Sequence, residues 1–272
     1  MSFLAWNCRG LGNLRTVHEL TIMVRKKDPL VLFLLETKLE DKRLEMLRCK
    51  WNFAGKFVVL GRGRSGGLAM FWCQGVVVSI SSYSHHHIDA FIKPNTINAW
   101  RCTGFYGSPT VEGKMAAWDI LRVLKNHNPL PWLCTSDFNE LVSRDEKWGR
   151  VARPESQMVK FRHVIDDCGF KDLGFSVSPF TWWNKQHGAA KILERLNRSM
   201  AIMEWLFHFP RYSVHHLQAV FSDHRPLWVE LEPLTISRAP RKCFFKFEEM
   251  WTLDPGIKET VIWHGKSSKK VL

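Results

Sequence analysis

The chain has 272 residues, of which 45% are hydrophobic and 24% charged, and its 39 Lys and Arg against 26 Asp and Glu give a net charge of +13. Those proportions exclude a wholly disordered chain and a collagen-like one, and the length suits one large domain or two small ones. A surface that basic attracts polyanions such as nucleic acid or an anionic membrane.

An apolar strand is expected over 3–8, followed by a turn at Gly10 and Gly12. Over 16–27, Val17, Leu20, Ile22, Met23 and Val24 recur at roughly helical spacing, and Asp28-Pro29 stops the helix. Residues 30–35 are a continuous apolar run of strand length that delivers Glu36 at its end, and a helix is expected over 41–50. β-Branched and aromatic runs at 57–60, 68–72, 76–80 and 88–92, separated by Gly or Asn/Pro turns, predict antiparallel hairpins. A strand over 100–106 ends at Gly107-Ser108-Pro109, a helix fits 111–125, and a buried strand over 131–134 leads to Ser136-Asp137-Phe138-Asn139. Residues 140–153 are polar and predict a long loop, within which Lys147, Arg150 and Arg153 are either solvated or follow phosphates. A helix fits 155–167, a short strand 180–183 and a helix 196–205. Two last strands, 213–220 and 227–231, flank Ser222-Asp223-His224-Arg225. Strands interleaved with helices around a hairpin-rich middle predict an α/β domain with two packed sheets.

No run of about 18 apolar residues occurs, so no membrane-spanning helix is expected. Trp6, Asn7 and Arg9 make the first apolar run a poor signal peptide, so a nuclear or cytoplasmic location is expected. The seven cysteines stand singly with no Cys-x-x-Cys pair, which predicts neither a disulfide-linked partner nor a zinc knuckle.

Polar residues recur at the ends of apolar strands: Asn7, Glu36, Tyr106, Asp137, Asn139, Asp223 and His224. Strand ends gather on one rim of a layered α/β domain, so these are candidates for one cleft. Each has a plain structural reading when taken alone. Glu36 suits a solvated strand end, Asp137-Phe138-Asn139 a turn, Tyr106 a half-buried packing position and Ser222-Asp223-His224 a loop cap.

Their joint occurrence resembles the endonuclease/exonuclease/phosphatase family. The matching pieces, in the family's order, are Trp6-Asn7-Cys8-Arg9-Gly10-Leu11-Gly12, Leu35-Glu36-Thr37-Lys38, Gly104-Phe105-Tyr106-Gly107, Ser136-Asp137-Phe138-Asn139-Glu140, Phe180-Thr181-Trp182, Arg195-Leu196-Asn197-Arg198 and Ser222-Asp223-His224. More narrowly, they resemble the endonuclease domain of plant non-LTR (LINE-type) retrotransposon polyproteins. The resemblance covers about 1–232 and implies an exonuclease III/DNase I-like, four-layered α/β sandwich, with two packed mixed or antiparallel sheets flanked by helices. It also implies a phosphodiesterase that nicks DNA with Mg²⁺ or Mn²⁺, expected to act as a monomer.

A phosphodiester anion resists water, so its hydrolysis calls for a hard cation, a positioned water and donors around the phosphate. The resemblance assigns Glu36, Asn7 and Asp223 to the metal, and Asp137 and Asn139 to the attacking water. Tyr106 is assigned to a phosphate hydrogen bond and His224 to the scissile phosphate or proton transfer. Arg9, Thr181, Trp182, Arg62 and Arg64 are expected along the substrate. Where the family has Asp in Arg-Leu-Asp-Arg, this chain has Asn197, which accepts the histidine's hydrogen bond without a negative charge. The fold and metal site are expected to survive and the rate to fall. The alternatives are a silent nucleic-acid-binding remnant and a phosphatase on the same fold.

Other features carry weaker readings. His85-His86-His87 and His215-His216 are adjacent residues that point to opposite strand faces, so they are expected as exposed hairpin positions rather than ligands of one ion. Gly61-Arg62-Gly63-Arg64-Ser65-Gly66-Gly67 lacks the Gly-Lys-Ser/Thr end of a P-loop and is expected as a turn. Residues 233–272 are expected as a basic linker and a segment resembling the lead-in to reverse transcriptase, with no polymerase domain in this chain.

Overall fold

Strand β1 (Ser2–Asn7) is buried along its whole length, since Phe3 and Ala5 face a second sheet while Leu4 and Trp6 face helices. The structure, a computed structural model, describes residues 1–61 and 66–231. Helix α1 (Leu14–Lys27) begins where the Asn13 side chain accepts the Arg15 amide at 2.9 Å, and it ends at Asp28 in the left-handed region. That helix returns the chain so that β2 (Val31–Leu35) lies parallel to β1. Helix α2 (Asp41–Lys50) and the antiparallel strands β3 (Gly55–Val59) and β4 (Leu68–Trp72) follow.

The second half repeats the device. Strands β5 (Val78–Ser84) and β6 (His87–Ile92) form a hairpin, and β6 pairs with β7 (Trp100–Tyr106). Helix α3 (Val111–His127) crosses over so that β8 (Trp132–Asp137) runs parallel to β7. Residues 140–153 carry a 3₁₀ turn and the short β9 (Lys147–Trp148), which the sequence reading places inside a loop. Then come α4 (Glu155–Cys168), β10 (Lys171–Asp172), β11 (Trp182–Trp183), β12 (Leu193–Glu194), β13 (Asn197–Ala201), α5 (Met203–His208), β14 (Tyr212–His216) and β15 (Leu227–Leu231).

One sheet has the order β14-β15-β1-β2-β4-β3 and the other β10-β13-β8-β7-β6-β5. Their inner faces share one core, in which Phe33, Met70, Ile88, Ala90 and Cys102 meet. A Cβ on Gly104 would fall 2.3 Å from the Phe33 ring, so the sheets need glycine at that closest approach. Helices α1 and α2 cover the outer face of the first sheet through Val17, Leu20, Val24 and Leu44. Helices α3 and α4 cover the second through Trp118 and Phe161, whose rings stand 5.3 Å apart. The result is a four-layered α/β sandwich.

Two expectations are corrected. Residues 196–205 are not one helix: strand β13 runs to Ala201 and α5 begins at Met203. Leu196, Met200 and Met203 fall at helical spacing only because a strand passes at once into a helix. Pairing with β8 buries all five β13 residues, which outweighs local periodicity. Nor are the histidines all exposed. His87 is buried between the Ser82 and Ser84 hydroxyls, and His216 is buried against Phe175 with Nδ1 on the Ser178 carbonyl at 2.5 Å. The domain boundary at 232 and the segment 233–272 lie outside the described residues, as do Arg62 and Arg64. The described cysteines are free, and no described helix is long and apolar enough to cross a membrane.

Candidate active site

Each parallel pair sends its carboxyl ends to the same edge of the sandwich. Asn7 closes β1, Glu36 follows β2 in the left-handed region, Tyr106 closes β7 and Asp137 closes β8. Asn197 opens β13 directly opposite Asp137 in the register. Asp223 and His224 arrive on the connection between β14 and β15. That loop is seated by the Ser222 hydroxyl, which donates to the Asn7 carbonyl at 2.8 Å and accepts the His224 amide at 3.1 Å. The Trp6 indole donates to the His224 carbonyl at 2.9 Å.

These side chains touch one another. The Asn7 amide nitrogen donates to Glu36 Oε1 and to Asp137 Oδ2, both at 3.0 Å. The Tyr106 hydroxyl donates to Glu36 Oε1 at 3.0 Å. His224 Nδ1 lies 2.9 Å from Asn197 Oδ1 and 3.5 Å from Asp137 Oδ2. The Asn197 oxygen can only accept, so Nδ1 carries the proton of that bond and Nε2 is left for another partner. Asn139 donates its backbone amide to Asp137 Oδ1 at 3.1 Å and its side-chain amide to the Gly107 carbonyl at 2.7 Å. Thr181 accepts the Asn197 amide at 2.8 Å, and the Trp182 indole donates to Asp223 Oδ2 at 3.0 Å. Arg9 reaches Glu36 at 3.4 Å and Asp223 at 3.2 Å.

A model of the endonuclease/exonuclease/phosphatase family matches residues 4–191. The chain belongs to that family. Among solved structures, it is similar to the endonuclease domain of TRAS1, a telomere-specific non-LTR retrotransposon, with TM-score 0.64 and 13% identity over 86% of this chain and 99% of that one. It is also similar to an AP endonuclease from Archaeoglobus fulgidus, with TM-score 0.65 and 14% identity over 86% of this chain and 100% of that one. A third likeness is the 3' phosphatase NExo from Neisseria bound to product DNA hairpin, with TM-score 0.60 and 18% identity over 85% and 99% of the two chains. At such identities these likenesses establish the fold. No curated protein sequence matches the chain.

In this family member the surroundings shift Glu36 and Tyr106 in opposite directions. Burial opposes ionisation of Glu36, but the Asn7 donor and the Arg9 and Lys38 cations outweigh it and hold the carboxyl below its ordinary value. Burial, reinforced by the Glu36 and Asp137 charges, pushes the Tyr106 phenol well above its ordinary value, so it stays a neutral donor. Asp223 Oδ1 is buried and receives no hydrogen bond, because Arg9 Nε lies within ion-pair distance but not in hydrogen-bond geometry. A carboxylate oxygen left without a hydrogen bond, joined to Glu36 through Arg9, suits a hard cation with oxygen ligands. No group of three or more His, Cys, Asp and Glu able to hold a metal occurs among the described residues. Glu36 and Asp223 could serve only an ion that takes one or two carboxylates and completes its shell with water.

Thus Asn7, Arg9, Glu36, Tyr106, Asp137, Asn139, Thr181, Trp182, Asn197, Asp223 and His224 lie on one connected rim. Lys38, Trp6 and Ser222 complete it and were not among the predicted site residues. Lys38 stands 3.1 Å from Glu36. Its place two residues after Glu36, inside a matched motif, is the sequence feature that points to it.

Proposed function

We propose that this chain is a divalent-metal-dependent phosphodiesterase that nicks DNA, of the retrotransposon-endonuclease kind, slowed by Asn197. The contact set joining Asn7, Glu36, Asp137, Asn197 and His224 carries the reading, because it places carboxylates, a neutral phenol and an imidazole around one point. Glu36 and Asp223, with Asn7 beside them, are the residues that would hold Mg²⁺ or Mn²⁺. Such an ion neutralises phosphate charge and acidifies bound water. Asp137, fixed by Asn7 and Asn139, is placed to orient the attacking water. Tyr106, its one hydroxyl proton turning from Glu36, would donate to the phosphate, and His224 would do so or move a proton through Nε2. Asn197 orients the imidazole through Oδ1 but lends it no charge.

The test is nicking of supercoiled plasmid with Mg²⁺ and with EDTA by the parent, Glu36→Ala and Asn197→Asp. The reading requires Mg²⁺-dependent nicking that falls by about 10²-fold or more in Glu36→Ala, the scale for losing one group that stabilises transition-state charge. Nicking by Asn197→Asp alone would mean an inactivated enzyme on an intact scaffold. Silence in all three would favour the second reading, a nucleic-acid-binding remnant.

A further inference from the structure

The segment between β8 and α4 builds a cavity of about 140 Å³ away from the contact set just described. Four of its seven lining residues are cations, Arg144, Lys147, Arg150 and Arg153, and none is acidic. Of the neighbouring carboxylates, buried Glu194 and Glu140 engage Lys147 and Arg153 of the lining, whereas half-buried Glu146 is engaged away from it. Glu194 anchors Lys147 and, at 2.8 Å, Arg153; Glu140 holds Lys114 at 2.6 Å and Arg153 at 3.4 Å; Glu146 holds Arg195 and Arg198. Arg144 pairs with Glu155 at 3.2 Å, both of them at the surface, where such a pair is weak and exchangeable. Arg150 is exposed and makes no ion pair among the described residues.

The surroundings also suit a strand. Gly149 turns the backbone at φ 132, where a Cβ would crowd the Lys191 carbonyl. Trp148 next to it is 50% exposed, with the Lys191 ammonium 5.7 Å from its ring centre. Exposed indoles flanked by cations are the elements of single-strand and backbone binding. Strand β9 pairs with β12, β12 with β11, and Trp182 of β11 bridges to His224. Three strand spacings of ~4.8 Å place the cavity roughly 14 Å from the His224 backbone. A nucleic-acid strand advances about 3.4 Å per nucleotide, so that gap corresponds to on the order of four nucleotides.

We propose that this cavity seats a backbone phosphate of a nucleic-acid strand, a few nucleotides from the bond presented at His224, with Trp148 packed on the adjoining sugar or base. The inference rests on the reading that such a strand is the substrate. Arginine matches phosphate geometry with paired donors, and here buried Glu194 fixes two of the cations from below while Arg144 and Arg150 remain available.

The test is fluorescence anisotropy of labelled duplex DNA in EDTA, over a salt series, for the parent, Arg144→Ala, Arg150→Ala and Arg25→Ala. Because no cleavage is read, a failed nicking assay does not decide it, and an intact one does not rescue it. Arg25→Ala removes the same charge from the last turn of α1, ~16 Å along that helix from its first residue. Arg144→Ala and Arg150→Ala should each lower the slope of log affinity against log salt by about 0.9 and weaken binding to all sequences alike. Arg25→Ala should leave the slope unchanged. Equal losses in all three variants, parental slopes in the cavity variants, or a parent that does not bind DNA would each overturn the proposal. Titration with inorganic phosphate is the second arm. Phosphate binding that Arg150→Ala abolishes, with the DNA slope unchanged, would reassign the cavity to a free anion and overturn the strand assignment.

Discussion

Asn197 Oδ1 meets His224 Nδ1 at 2.9 Å, while its Nδ2 is buried with no acceptor. A buried donor left without a partner is a cost that a carboxylate at this position would remove. It would also give the imidazole a counter-charge. Asn197→Asp is therefore expected to raise plasmid nicking, with the ~10⁴-fold effect of the comparable change in a serine-protease triad as an upper guide. Parent-level nicking in that variant would show that the histidine needs no charge here. Ser136 offers a second residue-scale prediction. It precedes Asp137 at φ 123, a region that favours glycine, and its buried hydroxyl has no partner. Ser136→Gly should stabilise the fold by about 1–2 kcal/mol, read as a higher urea midpoint at unchanged m-value. A lower midpoint would show that the strain is absorbed elsewhere.

At the scale of elements, Arg195 and Arg198 straddle Asn197 and tie β13 to its surroundings. Arg198 is fully buried and reaches Glu146 at 2.7 Å, Asp172 at 3.1 Å and the carbonyls of Glu140 and Arg195. Arg198→Met would leave Glu146 and Asp172 short of a cation, at a cost of about 3–5 kcal/mol. Chemical denaturation checks it, and a loss under ~1 kcal/mol would mean that Arg195 suffices. Acid sensitivity also belongs to this scale. Burial lowers His216 and His87 from 6.5 to about 4. The unfolded chain therefore takes up protons that the fold does not, so stability is full above about 6.5 and falls as pH drops toward 4. The slope is at most ~1.4 kcal/mol per pH unit for each histidine. His216→Asn, which keeps a donor and removes the titration, should flatten the fall in melting temperature between pH 6.5 and 4. An unchanged slope would assign the acid sensitivity to other groups.

At the scale of the molecule, the sandwich is the means by which two β-α-β units present their strand ends together. The parallel pairs β1–β2 and β7–β8 sit at the centres of opposite sheets, so Asn7 reaches Asp137 across 130 residues of sequence. The net charge of +13 fits a nucleic-acid partner, and the cavity at Arg144 and Arg150 gives part of that charge a definite place. Much of this architecture was legible beforehand. Continuous apolar runs marked the central strands because both faces of β1, β2 and β8 are buried. The region 196–205 was misread because a strand and a helix abut there and only pairing with β8 separates them.

Sequence by itself determined the order of the strand-end motifs, the family they resemble, the substitution at Asn197 and the basic character of the surface. Those features are local, or depend only on which residues are present. Tertiary structure alone decided that Asn7 bridges Glu36 and Asp137, that Arg9 spans Glu36 and Asp223, and that Arg198 is caged while Arg150 is exposed. It also decided that His216 is buried rather than exposed. Each of these depends on contacts between segments far apart in the chain, set by strand register and by which face of a strand meets the core, and single-residue chemistry encodes neither.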